Sequence, residues 1–155
     1  MALPRRQMLG LLASAGAVGA CSRGSSGPQG QAPLAREHLI APALVADKLA
    51  KGEPLAILYV GPDTLFRRGR LPGARNIGEA GENDGVAALR AELDRTPLDT
   101  EVVLYCGCCA VRVCPNVRPA DAVIAKSGRR NVWLLDLPTN LRTDWTDRGF
   151  PLEKG

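Results

Sequence analysis

Aromatic residues are scarce in this 155-residue chain, where two Phe, two Trp and two Tyr make up 4% of the total. A core must therefore be built mostly from Ala, Val, Leu and Ile, with Trp133 and Trp145 as expected anchors. The 45% hydrophobic content is enough for one domain, but the length leaves no room for a second. Histidine occurs once, at His38, ahead of the first expected helix; that place suits a surface residue better than a catalytic base. Excess charge is lacking too. Of 20 basic residues, Arg5 and Arg6 sit in a stretch expected to be removed, and the remaining 18 face 16 acidic ones. With no Lys/Arg cluster interleaved with aromatics, the chain carries no nucleic-acid footprint. No internal repeat is visible.

The first residues, MALPRRQMLGLLASAGAVGACS, have a charged start, an uncharged stretch from Met8 to Ala20, and small residues before Cys21. The stretch is too short and too rich in Gly and Ala for a stable membrane span, and it has the layout of a secretory signal over 1–20. Arg5 and Arg6 resemble a twin-arginine signal. Val18-Gly19-Ala20-Cys21 resembles a bacterial lipobox, which would make Cys21 a lipidated first residue and place the protein on a membrane facing the periplasm or cell exterior. The segment 21–37, rich in Ser, Gly, Gln and Pro, reads as a flexible tether.

From 38 to 155, short apolar runs alternate with helical patterns. Pro42 to Lys51 predicts a helix with Ala43, Leu44, Ala46 and Leu49 on one face, ending at Gly52. Leu55 to Val60 has the continuous apolar character of a strand covered on both faces. A short helical turn near Pro62 and Asp63 and a Pro-Gly turn at 72 and 73 lead to a short strand at Arg75 to Ile77. Asn83 and Asp84 are placed to cap a helix running through Arg95. Glu101 to Tyr105 and Asn131 to Asp136 are strong strands. Helices are expected over Arg118 to Ser127 and Asn140 to Arg148, closed by Gly128 and Gly149. Strands separated by helices in so short a chain mean a small α/β domain with a largely parallel sheet.

In such sheets ligands bind beyond the carboxyl ends of the strands. There the sequence reads YCGCCAVRVCPN, with four of its five cysteines between Cys106 and Cys114. The spacing C-x-C-C-x4-C does not suit tetrahedral zinc, which takes ligand pairs from two separate turns; adjacent Cys108 and Cys109 are expected to point apart. Copper(I) on two or three thiolates stays open, because soft sulfur donors suit it. Disulfides are a second possibility, Cys106 with Cys109 and Cys108 with Cys114, though bridges within so short a loop restrain the unfolded chain little. The third is a nucleophile. A cysteine after a strand and before a helix faces backbone N–H groups that favour thiolate over thiol. Arg112 and Arg118 are then candidates to hold an anionic substrate.

Several stretches together resemble the rhodanese family. FRRGRLPGARNI (66–77) is similar to the family segment in which Gly-His-Ile-Pro-Gly-Ala precedes an Asn-containing strand. VVLYC (102–106) resembles the strand that delivers the active cysteine, and NVWLLD with DWTDRGFPLEKG resembles the closing strand, helix and Gly-aromatic-Pro ending. The resemblance implies the rhodanese α/β fold over 38–155 and a sulfurtransferase, with Cys106 taking sulfane sulfur as a persulfide and passing it to an acceptor. Cys108, Cys109 and Cys114 would be resolving or redox thiols. Implied partners are a small sulfur-containing substrate and a thiol acceptor or reductant; no cofactor and no resident metal are implied. Three features depart from the family: Tyr59-Val60-Gly61 replaces its Asp-x-Arg, Leu137-Pro138-Thr139-Asn140 replaces its Gly-Gly, and the loop after Cys106 is long, as in a cysteine-rich subgroup. A copper(I)-binding module and an inactive domain used for protein contact remain alternatives. Cys106 to Arg112 also fits C-x5-R, the phosphate-binding loop of phosphatases and arsenate reductases.

Overall fold

The computed structural model describes residues 33 to 154. The signal segment 1–20, Cys21 and most of the 21–37 tether lie outside the described residues. Five parallel strands, β1 (Leu39–Ile40), β2 (Leu55–Tyr59), β3 (Arg75–Asn76), β4 (Glu101–Tyr105) and β5 (Val132–Leu135), form one sheet in the order β1-β5-β4-β2-β3. The helices are α1 (Pro42–Ala50), α2 (Asp63–Arg68), α3 (Asn83–Arg95), α4 (Val117–Ser127) and α5 (Leu141–Asp144). The three strong strands predicted by their apolar runs are β2, β4 and β5, and β4 lies in the middle of the five.

Alternation along the strands feeds two cores. Leu58, Val60, Val102 and Leu104 pack against Leu89 and Leu93 of α3 and Val117, Val123 and Ile124 of α4. Ile57, Tyr59, Val103 and Tyr105 point the other way, toward Val45 of α1, Leu71 and Trp145. All the aromatic side chains lie on this second side, with Phe66, Trp133 and Phe150 packed at its margins. The first side is filled by aliphatic residues and the buried cysteines Cys106 and Cys114.

The packed chain begins ahead of His38. Leu34 is buried, and a turn of 3-10 helix at Arg36–His38 leads into β1, which pairs with β5. His38 is half-buried, its Nδ1 2.6 Å from Asp121 Oδ1. In α1 the inward face is Val45, Ala46 and Leu49, whereas Leu44 is 50% exposed and Ala43 is also outside. Val45 is the deepest of these, and it lies one step round the helix from the expected face. Asn83 and Asp84 do not cap α3: they fall inside its first turn, Glu82 takes the capping place, and no side chain bonds the free amides there. The predicted helix over 140–148 breaks at Trp145, whose φ of −127° and ψ of −65° are not helical. A 3-10 turn, Thr146–Arg148, follows. Trp145 is fully buried by this break, while Trp133 is only half-buried. Asn140 caps α5, its side chain accepting from Thr143 N–H at 2.9 Å.

After β2 the chain moves outward to β3, and after β4 it moves the other way to β5. The sheet therefore reverses direction between β2 and β4, and their carboxyl ends flank the crevice where α/β sheets bind ligands.

Candidate active site

Cys106 follows β4 directly, with its side chain over the end of β2. A Cβ on Gly61 would lie 2.6 Å from Cys106 Sγ and 2.7 Å from the Tyr59 hydroxyl, so only glycine leaves the sulfur its place. Gly107 turns the chain back with φ of +79°, a left-handed value that suits glycine. The loop is then tied down twice: Val111 N–H donates to Leu137 O at 2.8 Å, and Leu141 N–H donates to Gly107 O at 3.3 Å. These bonds fold the cysteine-rich segment onto the ends of β4 and β5.

The four thiols are free and form a continuous chain of sulfur contacts. Cys108 is the hub, with its Sγ 3.1 Å from Cys106, 3.2 Å from Cys109 and 3.5 Å from Cys114. Cys108 and Cys109, expected to point apart, turn to the same side because the loop doubles back between its two anchors. The sulfur in contact with Cys106 at 3.1 Å is that of Cys108, not the Cys109 of the C-x-x-C spacing. Cys106 and Cys114 are buried and Cys108 is exposed.

Asn116, which sequence reasoning passed over, links three segments. Its Oδ1 accepts from Gly81 N–H at 2.7 Å, and its Nδ2 donates to Cys106 Sγ at 3.5 Å. Its side chain is buried, so both polar ends need these partners. The available signal was its position after Cys114 and Pro115, immediately before a helix.

Ionisation is unequal among the thiols. Cys114 is lowered to about 5, first by a hydrogen bond from Cys106 and then, against burial, by the backbone N–H groups of Asn116 and Val117 at the start of α4. Cys106 is held well above the usual thiol range, because in sharing its proton with Cys114 it favours the protonated form, and burial adds to this. Burial pushes Cys109 up to about 12. The strand-end position was expected to make Cys106 the thiolate, whereas the helix-start amides reach Cys114 instead. The two thiols titrate as a pair, and the directions of both shifts favour the negative charge on Cys114 over Cys106.

Because Cys114 is lowered from 9.0 to about 5, its ionised form favours the fold. That contribution is complete above about pH 9 and is lost as pH falls through about 5. One loop thiol should accordingly show thiolate absorbance with a midpoint near pH 5, and the transition should vanish in Cys114→Ser. A loop whose first ionisation lies near 9.0 would show that the helix start has no such hold.

A cleft of about 590 Å³ opens over this end of the sheet, lined by Tyr59, Leu65, Arg68, Gly69, Cys106, Gly107, Leu141, Arg142, Thr146 and Leu152. Among the described residues its cationic side chains are Arg68 and Arg142. Arg112 is exposed, and Arg118 is half-buried with its guanidinium donating to Arg112 O at 3.1 Å. These two arginines, near Cys106 in sequence, are bound to each other along the loop and do not line the cleft. Arg68 and Arg142, supplied by α2 and α5, do.

Neither a family model nor a curated protein matches the sequence. Solved structures do match the fold. The rhodanese-like domain of an Anabaena protein superposes with a TM-score of 0.55 at 15% identity, over 76% of this chain and 80% of its own. A rhodanese-related protein from Thermoplasma volcanium gives 0.53 at 14%, over 76% of this chain and 99% of its own. A protein from Rhodopseudomonas palustris described as a possible tyrosine phosphatase gives 0.54 at 17%, over 75% and 84%. At these identities the likeness establishes the rhodanese-like fold, in agreement with the α/β class predicted from the strand pattern.

Proposed function

We propose that the domain carries and transfers sulfane sulfur on Cys106. The supporting observation is Cys106 at the end of the central strand, lining the cleft. Cys106 loses its proton to solvent and, as the thiolate, attacks the outer sulfur of an anionic donor such as thiosulfate. The sulfur–sulfur bond of the donor breaks, sulfite leaves with the bonding pair, and Cys106 holds a persulfide. Arg68 and Arg142 supply positive charge for the donor at the mouth of the cleft.

Discharge takes one of two routes. An external thiolate attacks the outer sulfur and departs with it. Alternatively the Cys108 thiolate, whose sulfur lies 3.1 Å from that of Cys106, attacks the inner sulfur; a Cys106–Cys108 disulfide forms and hydrosulfide leaves. An external dithiol then reduces the disulfide. The partners are a small sulfur donor and a thiol acceptor or reductant, with no nucleic acid.

The reduced protein should gain the mass of one sulfur atom on Cys106 after exposure to thiosulfate or polysulfide, read by peptide mass spectrometry. A protein left unmodified with all four loop thiols reduced would reject the proposal.

The same proposal places the domain outside the cytoplasm on a lipid anchor, supported by the Val18-Gly19-Ala20-Cys21 motif. Metabolic labelling with a palmitate analogue should mark the wild type and not Cys21→Ala. An unlabelled wild type removes the anchor.

A further inference from the structure

Three of the loop sulfurs converge closely enough to surround one ion. The Sγ atoms of Cys106, Cys108 and Cys114 all lie within 4.8 Å of one another. Three sulfurs placed evenly about an ion at ~2.3 Å, an ordinary metal–thiolate length, stand roughly 4 Å apart. The separations from Cys108, 3.1 Å to Cys106 and 3.5 Å to Cys114, fall short of that value by less than 1 Å, so small side-chain rotations suffice. Cys109 touches Cys108 but does not belong to the mutually close group. His38, the sole histidine, is engaged with Asp121.

Donor number and donor type together select the ion. Zinc in a closed site takes four ligands in a tetrahedron, and the group offers three. Every donor is sulfur, with no imidazole or carboxylate among them, and soft thiolates without harder donors suit copper(I). The ion also has a way in, because Cys108 is exposed while Cys106 and Cys114 are buried behind it. The Asn116 amide, donating toward Cys106 Sγ, faces the excess negative charge that such a complex holds.

We infer that the Cys106, Cys108 and Cys114 thiolates form a three-sulfur site for one copper(I) ion. Each thiol still protonated releases its proton to the solvent as it binds, and no electron is transferred. The inference does not depend on sulfur transfer. If both activities exist, they exclude each other, because a sulfur bonded to copper cannot attack a donor.

The test uses the reduced full chain under anaerobic conditions, titrated with copper(I) against a competing chelator and with no sulfur donor present. One equivalent should be retained, and X-ray absorption should count three sulfur neighbours. Cys108→Ser and Cys114→Ser should each weaken retention by at least ~10²-fold, more than loss of an outer-shell partner costs, while Cys109→Ser leaves it unchanged. Circular dichroism of each apo variant establishes that it is folded, and the sulfur count on wild type stands whether or not a variant folds. Removal of all copper by the chelator, an equal loss in Cys109→Ser, or a preference for zinc would overturn the site.

Discussion

Replacing Cys106 with serine is expected to lower sulfur transfer from thiosulfate or polysulfide by at least ~10³-fold, the scale on which removal of an enzyme nucleophile is felt. Serine is close to cysteine in size, and its oxygen can accept from Asn116 Nδ2 as the sulfur does, so the fold should survive. The hydroxyl, however, forms no persulfide. Cys109→Ser should leave the first loading step intact, since Cys109 touches Cys108 and does not line the cleft. Cys114→Ser should preserve loading and speed it, because Cys106 then no longer shares its proton with a neighbouring thiolate that keeps it protonated. The decisive contrast is between Cys106 and Cys114. Loading that survives Cys106→Ser and disappears in Cys114→Ser would make the ionised helix-start thiol the carrier.

A second large effect is expected on stability. Trp145→Ala should cost about 3–5 kcal/mol, as removal of fully buried large aromatics does. Trp145 is 0% exposed, packs edge-on to Phe150 with ring centroids 5.1 Å apart, and donates its indole N–H to Pro151 O at 2.8 Å. Truncation leaves both a cavity and an orphaned carbonyl. For a domain of this size the loss is a large share of a total near 5–15 kcal/mol. Urea unfolding followed by circular dichroism should show a lower midpoint at an unchanged slope. A loss under about 1 kcal/mol would mean that the layer re-packs around the gap. Because Trp145 separates α5 from the following turn, and Leu141 and Thr146 line the cleft, sulfur transfer should also weaken in the folded fraction.

The sheet was legible because its three central strands are apolar on both faces, a signal that needs no knowledge of neighbours. Of the two-residue strands, β3 was legible from the Pro-Gly turn before it, whereas β1 carries too little pattern and went unseen. In α1 the apolar residues outnumber the buried ones, and periodicity alone put Leu44 inside where packing leaves it outside. The break at Trp145 is likewise a packing event, since burying the indole on the sheet requires a backbone that helical periodicity does not announce.

The site divides in the same way. Cys106 was legible from its place after a strand, a rule about topology. The residues around it were not, because Gly61, Asn116, Arg68 and Arg142 come from four different segments and only folding assembles them. Local reasoning chose Arg112 and Arg118 because they are close in sequence, and the structure sets them beside each other along the loop. It also expected the negative charge on Cys106, whereas the directions of the two shifts favour Cys114. The helix-start amides act over a single turn, and the doubled-back loop delivers Cys114 to them.

The one-sided distribution of aromatic rings has an experimental consequence. Both tryptophans and both tyrosines lie on the α1 and α5 side of the sheet, so intrinsic fluorescence reports the opening of that layer and is blind to the other. The sulfur loop and its two covering helices sit in the blind half, where thiol-labelling rates are the natural reporter. Recording both signals during one denaturant titration asks whether the halves come apart together. Coincident curves mean a single cooperative unit, and separated curves mean that the sulfur-bearing half can open while the fluorescent half stays closed.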